Sequence, residues 1–452
     1  MMQESFLNRT EVLRDKSLTE WAGGHGKRLT HDLFRFPGKF HPPLIDHILE
    51  VTEPNAIVDP MAGVGTVAVE AKAAGIPSVS VDIDPVSVFF AKVKTTPIDQ
   101  DVLEKAWQSL QSSLARHRRP RHEIETRKFR DVRLDIMRKN LKRVDSNALE
   151  RLTYWFRRYV LVDYARINHA IFNGGLPSEG QRVRRFFLAC LISSVRRISN
   201  ADPSPVSGLE ITSQMRERIE RGYAIDTFGE FERRVTAAIE GMSEYGSYLE
   251  EHGTRGTQTR ILQADSKDLC KILRATNFSP DVILFSPPYC NAIEYWRRHR
   301  LEYLLGGFLG EDEICALSHN FIGRTTTGGR RTQPDTLGFG PIDGLLQTIS
   351  KHGRVHKACL LAQYFVDMRT RLSEFHESLP RGGYCIMVVG DSRTGDLRIP
   401  TAQTLRWLAE KSGFAHIKTG RYKIKNRSMQ FPVKPHPKIA EESVIVLQRK
   451  SC

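Results

Sequence analysis

Between residues 56 and 85 the chain runs Ala56-Ile57-Val58-Asp59-Pro60-Met61-Ala62-Gly63-Val64-Gly65-Thr66, passes through the alanine-rich stretch 67–75, and resumes as Ser78-Val79-Ser80-Val81-Asp82-Ile83-Asp84-Pro85. An apolar run, a glycine turn, an alanine-rich stretch and a second apolar run ending in acids read as strand, turn, helix and strand. This is a βαβ unit, and it sets the expected fold class as α/β with a Rossmann-like sheet. In such a unit the glycines let the backbone approach a ligand, and an acid at the second strand end takes ribose hydroxyls. The spacing departs from Gly-x-Gly-x-x-Gly, which argues against a pyrophosphate-bearing dinucleotide. A cofactor carrying adenosine without phosphate fits better, and S-adenosylmethionine is the expected one.

A later apolar run, Asp281-Val282-Ile283-Leu284-Phe285, opens into Ser286-Pro287-Pro288-Tyr289. Consecutive prolines donate no backbone N–H, and their fixed φ points their carbonyls outward as acceptors. The serine hydroxyl can accept or donate. A tyrosine ring offers a stacking surface worth about 1–3 kcal/mol to an unpaired base. Together these groups suit gripping an exocyclic amino group on a flat base. Ser and Pro also make ordinary turns; the conjunction with the βαβ unit favours the ligand-binding reading.

Asp59-Pro60-x-x-Gly63-x-Gly65-Thr66 resembles the cofactor motif, and Ser286-Pro287-Pro288-Tyr289 the catalytic motif, of the amino-methyltransferases that modify DNA at exocyclic nitrogens. The serine-first form resembles the cytosine-N4 branch, whereas adenine-N6 enzymes more often begin with Asp or Asn. The segment Phe34-Arg35-Phe36-Pro37-Gly38-Lys39-Phe40-His41-Pro42-Pro43-Leu44-Ile45 resembles the family's N-terminal cofactor-contacting segment. The resemblance covers about residues 30–95 and 258–450. It implies a class I methyltransferase fold with a mixed sheet. It implies cofactor contacts from Phe36, Lys39, His41, Asp59, Pro60, Ala62, Gly63, Gly65, Thr66, Asp82, Ile83, Asp265 and Ser266, with Asp265 near the adenine. Catalysis falls to Ser286, Pro287, Pro288 and Tyr289, with no metal. The implied partner is double-stranded DNA, the usual company is a restriction endonuclease, and the implied setting is prokaryotic, cytoplasmic and nucleoid-associated.

The implied reaction requires the target base to leave the duplex stack. Ser286 and the Pro287 carbonyl would hold the two amino N–H groups, Tyr289 would stack on the base, and the methyl group would pass directly to nitrogen. No Pro-Cys pair of the carbon-5 cytosine type is present, and Cys290 is expected to pack. Three other readings share these motifs. An adenine-N6 DNA methyltransferase has the same parts. An RNA methyltransferase is conceivable, although no RNP pattern or KH loop is evident. A DNA-binding subunit without turnover would not need intact cofactor and catalytic motifs.

Composition agrees with a polyanionic partner: 67 Lys+Arg stand against 52 Asp+Glu, a net +15 over 452 residues. The seven cysteines form no Cys-x-x-Cys pair and read as reduced thiols. The first residues lack the apolar core of a signal peptide, and no run of about eighteen apolar residues suggests a membrane span.

Organisation is expected in three parts: residues 1–97, holding the N-terminal segment and the cofactor motif; a mainly helical insertion over 98–256, a candidate for target recognition; and 257–452, holding the catalytic motif. In the insertion, Leu152, Trp155, Phe156, Tyr159 and Val160 read as one helical stripe with Arg157 and Arg158 opposite, and a second helix is expected over 182–197. Beyond it, strands are expected at 259–265, 384–389, 417–423 and 443–448, and helices over the stripe Phe365–Leu379 and at 401–411. Phosphate contacts are expected from Arg118, Arg119 and Arg121, from Arg297, Arg298 and Arg300 after the catalytic motif, and from Arg324, Arg330 and Arg331 within a candidate DNA-contacting loop at 305–355. The first and third of these basic runs read equally as a solvated surface or linker, whereas closeness to the catalytic motif favours the phosphate reading for Arg297, Arg298 and Arg300.

Overall fold

The computed structural model describes residues 29–36, 38, 40–118, 146–173, 176, 180–202, 209–290, 294–324, 332–423 and 441–450. Seven strands form one sheet: β1 (Ile57–Asp59), β2 (Ser78–Asp82), β3 (Thr259–Gln263), β4 (Val282–Phe285), β5 (Tyr384–Gly390), β8 (Phe414–Lys423) and β9 (Glu441–Arg449). A small ribbon of β6 (Ser392–Thr394) and β7 (Leu397–Ile399) stands apart. The spatial order is β3-β2-β1-β4-β5-β9-β8, with β1 to β5 mutually parallel and β9 antiparallel to both β5 and β8. The fold is therefore α/β, with the mixed, Rossmann-like sheet expected.

The central strands are unbroken apolar runs because both faces of the sheet are covered. Successive residues point to opposite faces, so β4 sends Val282 and Leu284 one way and Ile283 and Phe285 the other. The first pair packs with Leu44, Ile45 and Ile48 of α1 (Pro42–Thr52) and with Val67 and Ala71 of α2 (Thr66–Ala73). The second pair packs with Phe365, Met368, Leu372 and Phe375 on a long helix, Val355–Ser378. The expected stripe is thus a helix, and it begins ten residues before Phe365.

Helix α3 (Pro85–Thr95) follows β2 and leads into the insertion, whose described helices are α4 (Gln100–Ala115), α5 (Ser146–Trp155), α6 (Arg158–Phe172), α7 (Gln181–Ile198), α8 (Ser213–Glu220) and α9 (Thr227–Glu251). Their core residues Phe186, Phe187, Phe231 and Tyr245 form one cluster with Val64 and Val86, Phe90 of α3, and Leu301 and Leu304 beyond the catalytic motif. The insertion is thus built onto the flank of the sheet layer. The stripe expected over 152–160 is two helices: Arg157 adopts extended backbone between α5 and α6, and Phe156 and Tyr159 stay buried on either side of the turn. Arg157 itself is buried and donates to the Tyr159 hydroxyl (3.3 Å), so it does not face outward as expected.

The start of the β1–β4 pairing is tied by one side chain. Asp281 accepts from the backbone N–H of Asn55 (3.0 Å) and Ala56 (3.0 Å) and from the Asn55 amide (2.7 Å). Asp281→Ala removes three hydrogen bonds to a carboxylate and is expected to cost about 1–3 kcal/mol. Urea denaturation of the two proteins measures the difference, and equal midpoints would remove Asp281 from the register.

Candidate active site

The chain steps outward from β1 to β2 to β3 and then returns to place β4 on the other side of β1. Loops leaving the carboxyl ends of β1 and β4 therefore diverge, and such a reversal opens a crevice where α/β sheets bind ligands. A cleft lies there, with a free volume of about 970 Å³ counted out to its mouth. It is lined by Asp59, Pro60, Ala62, Gly63 and Thr66 from the glycine turn, Asp82 and Ile83 after β2, and Asp265 and Ser266 after β3. All four residues of Ser286-Pro287-Pro288-Tyr289 line it from β4, and Phe36 comes from the N-terminal segment.

The cofactor-side wall is built from acids, Asp59 and Asp84 buried and Asp82 half-buried. Asp82 accepts the Gly63 N–H (2.7 Å) and the Asp84 N–H (2.8 Å), fixing the glycine turn against the end of β2. Gly63 has φ +49°, and a Cβ there would lie 3.1 Å from the Phe36 ring, so the ring sits directly over the turn. Asp59 accepts the Met61 N–H (3.0 Å). Burial, with a further contribution from Asp82, pushes the Asp59 carboxyl up to about 8. Burial and the neighbouring Asp84 push Asp82 up to about 7.

Beneath them lies an ion pair that joins distant parts of the chain. Asp84 caps α3 by accepting the Val86 N–H (2.9 Å) and the Ser87 hydroxyl (3.0 Å), and it meets His299 Nδ1 at 2.6 Å. Both partners are almost fully buried. Burial opposes charge on each, yet the contact wins: Asp84 is held below the ordinary carboxylate range and His299 above the ordinary imidazole range. Phe34 and Phe36 pack against the imidazole, with ring centroids 5.7 and 5.5 Å away. Phe36 also stacks on Tyr295, 5.3 Å away, which lines the cleft just past the catalytic motif.

At the other end of the cleft, Arg371 donates to both oxygens of Asp265 (3.0 and 3.3 Å) and is itself part of the lining. It sits on the long helix amid the apolar stripe that includes Met368 and Leu372, where an arginine on a core-facing position was the available signal. The other lining residues absent from the sequence expectations include Asn320, Phe321 and Ile322, from the candidate loop at 305–355.

Several expected residues lie elsewhere. His41 precedes α1 and does not line the cleft. Gly65 faces α3: a Cβ there would lie 2.7 Å from the Ala91 Cβ, so helix packing and a φ of +75° explain this glycine. Lys39, Arg119, Arg121, Arg330 and Arg331 lie outside the described residues. Arg118 is on the insertion, paired with Glu232 (2.8 Å). Arg300 pairs with Glu311 (2.5 Å), and Arg324 donates to the His319 carbonyl (2.6 Å). Arg297 is exposed two residues past Tyr295, with Glu294 at 3.3 Å, and Arg298 beside it is half-buried. No described helix is long and apolar enough to cross a membrane.

Comparison with known proteins finds one relative of near-equal length. The chain is 24% identical over 430 residues to the Type II methyltransferase M.MvaI of Kocuria varians, a match covering 92% of this chain and 89% of that protein. No family model and no solved structure matches the chain.

The acid cluster gives the stability a direction with pH. Asp59 and Asp82 bind protons more tightly in the folded chain than at their ordinary 3.8. Their proton-linked stability is complete below that value and is lost as pH rises through about 7 for Asp82 and about 8 for Asp59. Wild-type stability measured by urea denaturation should fall relative to Asp82→Asn as pH is raised across this window. A difference that stays flat would mean that the setting of Asp82 beside Asp84 does not hold a proton on it.

Proposed function

We propose that the protein is a site-specific DNA methyltransferase that transfers a methyl group from S-adenosylmethionine to the exocyclic N4 amino group of cytosine. The observation that carries this reading is the meeting of the glycine turn, the acid wall and Ser286-Pro287-Pro288-Tyr289 in one cleft. Similarity over nearly the whole length to a protein named as a Type II methyltransferase supports the same class of reaction.

The residues present fit the cofactor. The cleft has an apolar wall in Phe36, Pro60, Ala62 and Ile83, and carboxylates able to accept from hydroxyl and amino groups. Asp82 would take the ribose hydroxyls, Asp265 would face the adenine, and Phe36, Pro60, Ala62, Gly63, Thr66, Ile83 and Ser266 would complete the enclosure. Bound there, S-adenosylmethionine supplies a methyl group made electrophilic by its sulfonium.

The chain's own contribution is placement. The Ser286 hydroxyl and the Pro287 carbonyl accept from the two N–H groups of the flipped base. Those bonds draw the nitrogen lone pair out of conjugation and aim it at the methyl carbon. Pro288 keeps the loop rigid, and Tyr289 stacks on the ring. Holding two reactants in line contributes much of the acceleration in reactions of this kind. Arg297, exposed just beyond the catalytic loop, would meet the phosphates of double-stranded DNA, with Arg298 and the Glu311-paired Arg300 beside it and with the insertion and the segment 305–355 as the other contact surfaces. A restriction endonuclease as partner and a cytoplasmic, nucleoid-side location belong to the same proposal.

Tritium transfer from labelled S-adenosylmethionine to unmodified DNA and to RNA tests the reading. Wild type should label DNA and leave RNA unlabelled. Ser286→Ala should lower the rate at least 100-fold while cofactor affinity, measured by calorimetry, changes less than about threefold. Asp82→Ala should weaken cofactor binding at least 10-fold. Labelled RNA with blank DNA would overturn the substrate, and no cofactor binding by wild type would overturn the enzyme.

A further inference from the structure

The tyrosine of the catalytic motif is held from outside the motif. Its hydroxyl donates to Glu442 Oε1 (2.9 Å), while the Tyr422 hydroxyl donates to the other oxygen of the same carboxylate. Tyr422 and Glu442 are direct partners in the antiparallel β8–β9 ladder, and on its other side Glu442 pairs with Gly390 at the end of β5. The carboxylate therefore sits on a strand paired on both sides, with one oxygen given to each tyrosine. Tyr289 is bounded a second time at its ring edge: a Cβ on Gly38 would lie 3.0 Å from Tyr289 Cε2. Gly38 has φ +72° and lines the cleft beside the ring.

We propose that Glu442 is a positioning residue for Tyr289, setting the plane on which the target base stacks, with Tyr422 fixing the carboxylate in turn. The proposal rests on the methyltransferase reading for its consequence, though not for its geometry. A stacking platform works only if its plane is fixed before the base arrives, because a ring free to tilt spends part of the stacking energy on being ordered. A tyrosine held only through its backbone still swings about its Cα–Cβ bond. A charged acceptor at the phenol oxygen stops that swing while packing at the Gly38 edge limits rotation of the ring about its long axis, and hydrogen bonds to carboxylates are the stronger class. Glu442 touches neither base nor cofactor in this arrangement; it acts through Tyr289.

Two readouts test this separately. The first needs no reaction: protein labelled with 3-fluorotyrosine is examined by 19F NMR, with the Tyr289 resonance assigned from Tyr289→Phe. Glu442→Ala should shift and narrow the Tyr289 signal, and Tyr422→Phe should shift it less. An unchanged Tyr289 resonance in Glu442→Ala would overturn the clamp. The second is single-turnover methyl transfer to genomic DNA amplified in vitro, which is unmodified. Glu442→Ala should slow transfer about 10-fold with cofactor affinity within twofold, and Glu442→Gln should retain most of the rate. Tyr289→Phe, which keeps the ring and loses the hydroxyl, should be slowed similarly. The double variant Tyr289→Phe/Glu442→Ala should be no slower than either single change, because both cut the same bond. A general structural role for Glu442 predicts multiplied losses instead, and that result would overturn the proposal. A wild type that transfers no methyl group would defeat the proposed function, while the NMR comparison would still decide the clamp.

Discussion

Everything in the cleft depends on the pairing of β1 with β4. The two strands carry the two halves of the site and are in register at Ile57 with Val282 and Val58 with Ile283. Only a few ladder bonds hold them, so a slip of one residue would turn Asp59 and Ser286 to opposite faces. The register is over-determined: Asp281 ties the strand starts, and Val282 and Leu284 face a different core from Ile283 and Phe285. Shifting the strand would put each set into the wrong packing environment. A short strand pair thus fixes the position of residues from two segments separated by the whole helical insertion.

A second layer of constraint is electrostatic. Enclosing Asp59, Asp82 and Asp84 at the ends of the neighbouring strands β1 and β2 is costly unless charge is compensated or neutralised. The structure divides the solutions. Asp84 is paired with buried His299, while Asp59 and Asp82 are pushed towards neutrality and hold backbone N–H groups. The His299 ring also seats Phe34 and Phe36, so one imidazole ties the N-terminal segment, the end of β2 and the chain after Ser286–Tyr289. A cationic ligand entering beside these acids would relieve their mutual repulsion, which is a physical reason for a sulfonium-bearing cofactor to prefer this wall.

Much of this was legible in the sequence because the signals are local. Strands covered on both faces appear as continuous apolar runs, so β4 and β5 could be read directly, β1 and β2 followed from the glycine turn between them, and the expected helix at 401–411 matches Thr401–Lys411. Ten of the cofactor-side residues expected and the whole catalytic motif do line the cleft. What escaped the sequence lies mostly in contacts between distant segments. Asp84 meets His299 across 215 residues, and Tyr289 meets Glu442 across 153; no periodicity encodes such pairs. Gly65 read as a ligand glycine, whereas its missing side chain makes room for Ala91. The break between α5 and α6 was hidden because Phe156 and Tyr159 are buried on both sides of it. Arg371 lies inside an apolar stripe whose spacing signals only a helix, although it holds Asp265 at the cleft.

The central claim is that this cleft methylates an exocyclic amino group of a DNA base. The most direct test is mass spectrometry of nucleosides from DNA of cells expressing the protein, with cells expressing Ser286→Ala beside them. The account predicts N4-methylcytosine in the first and none in the second. N6-methyladenine in its place would keep the mechanism and contradict the choice of base. Neither mark, from cells holding folded wild-type protein, would contradict the claim itself.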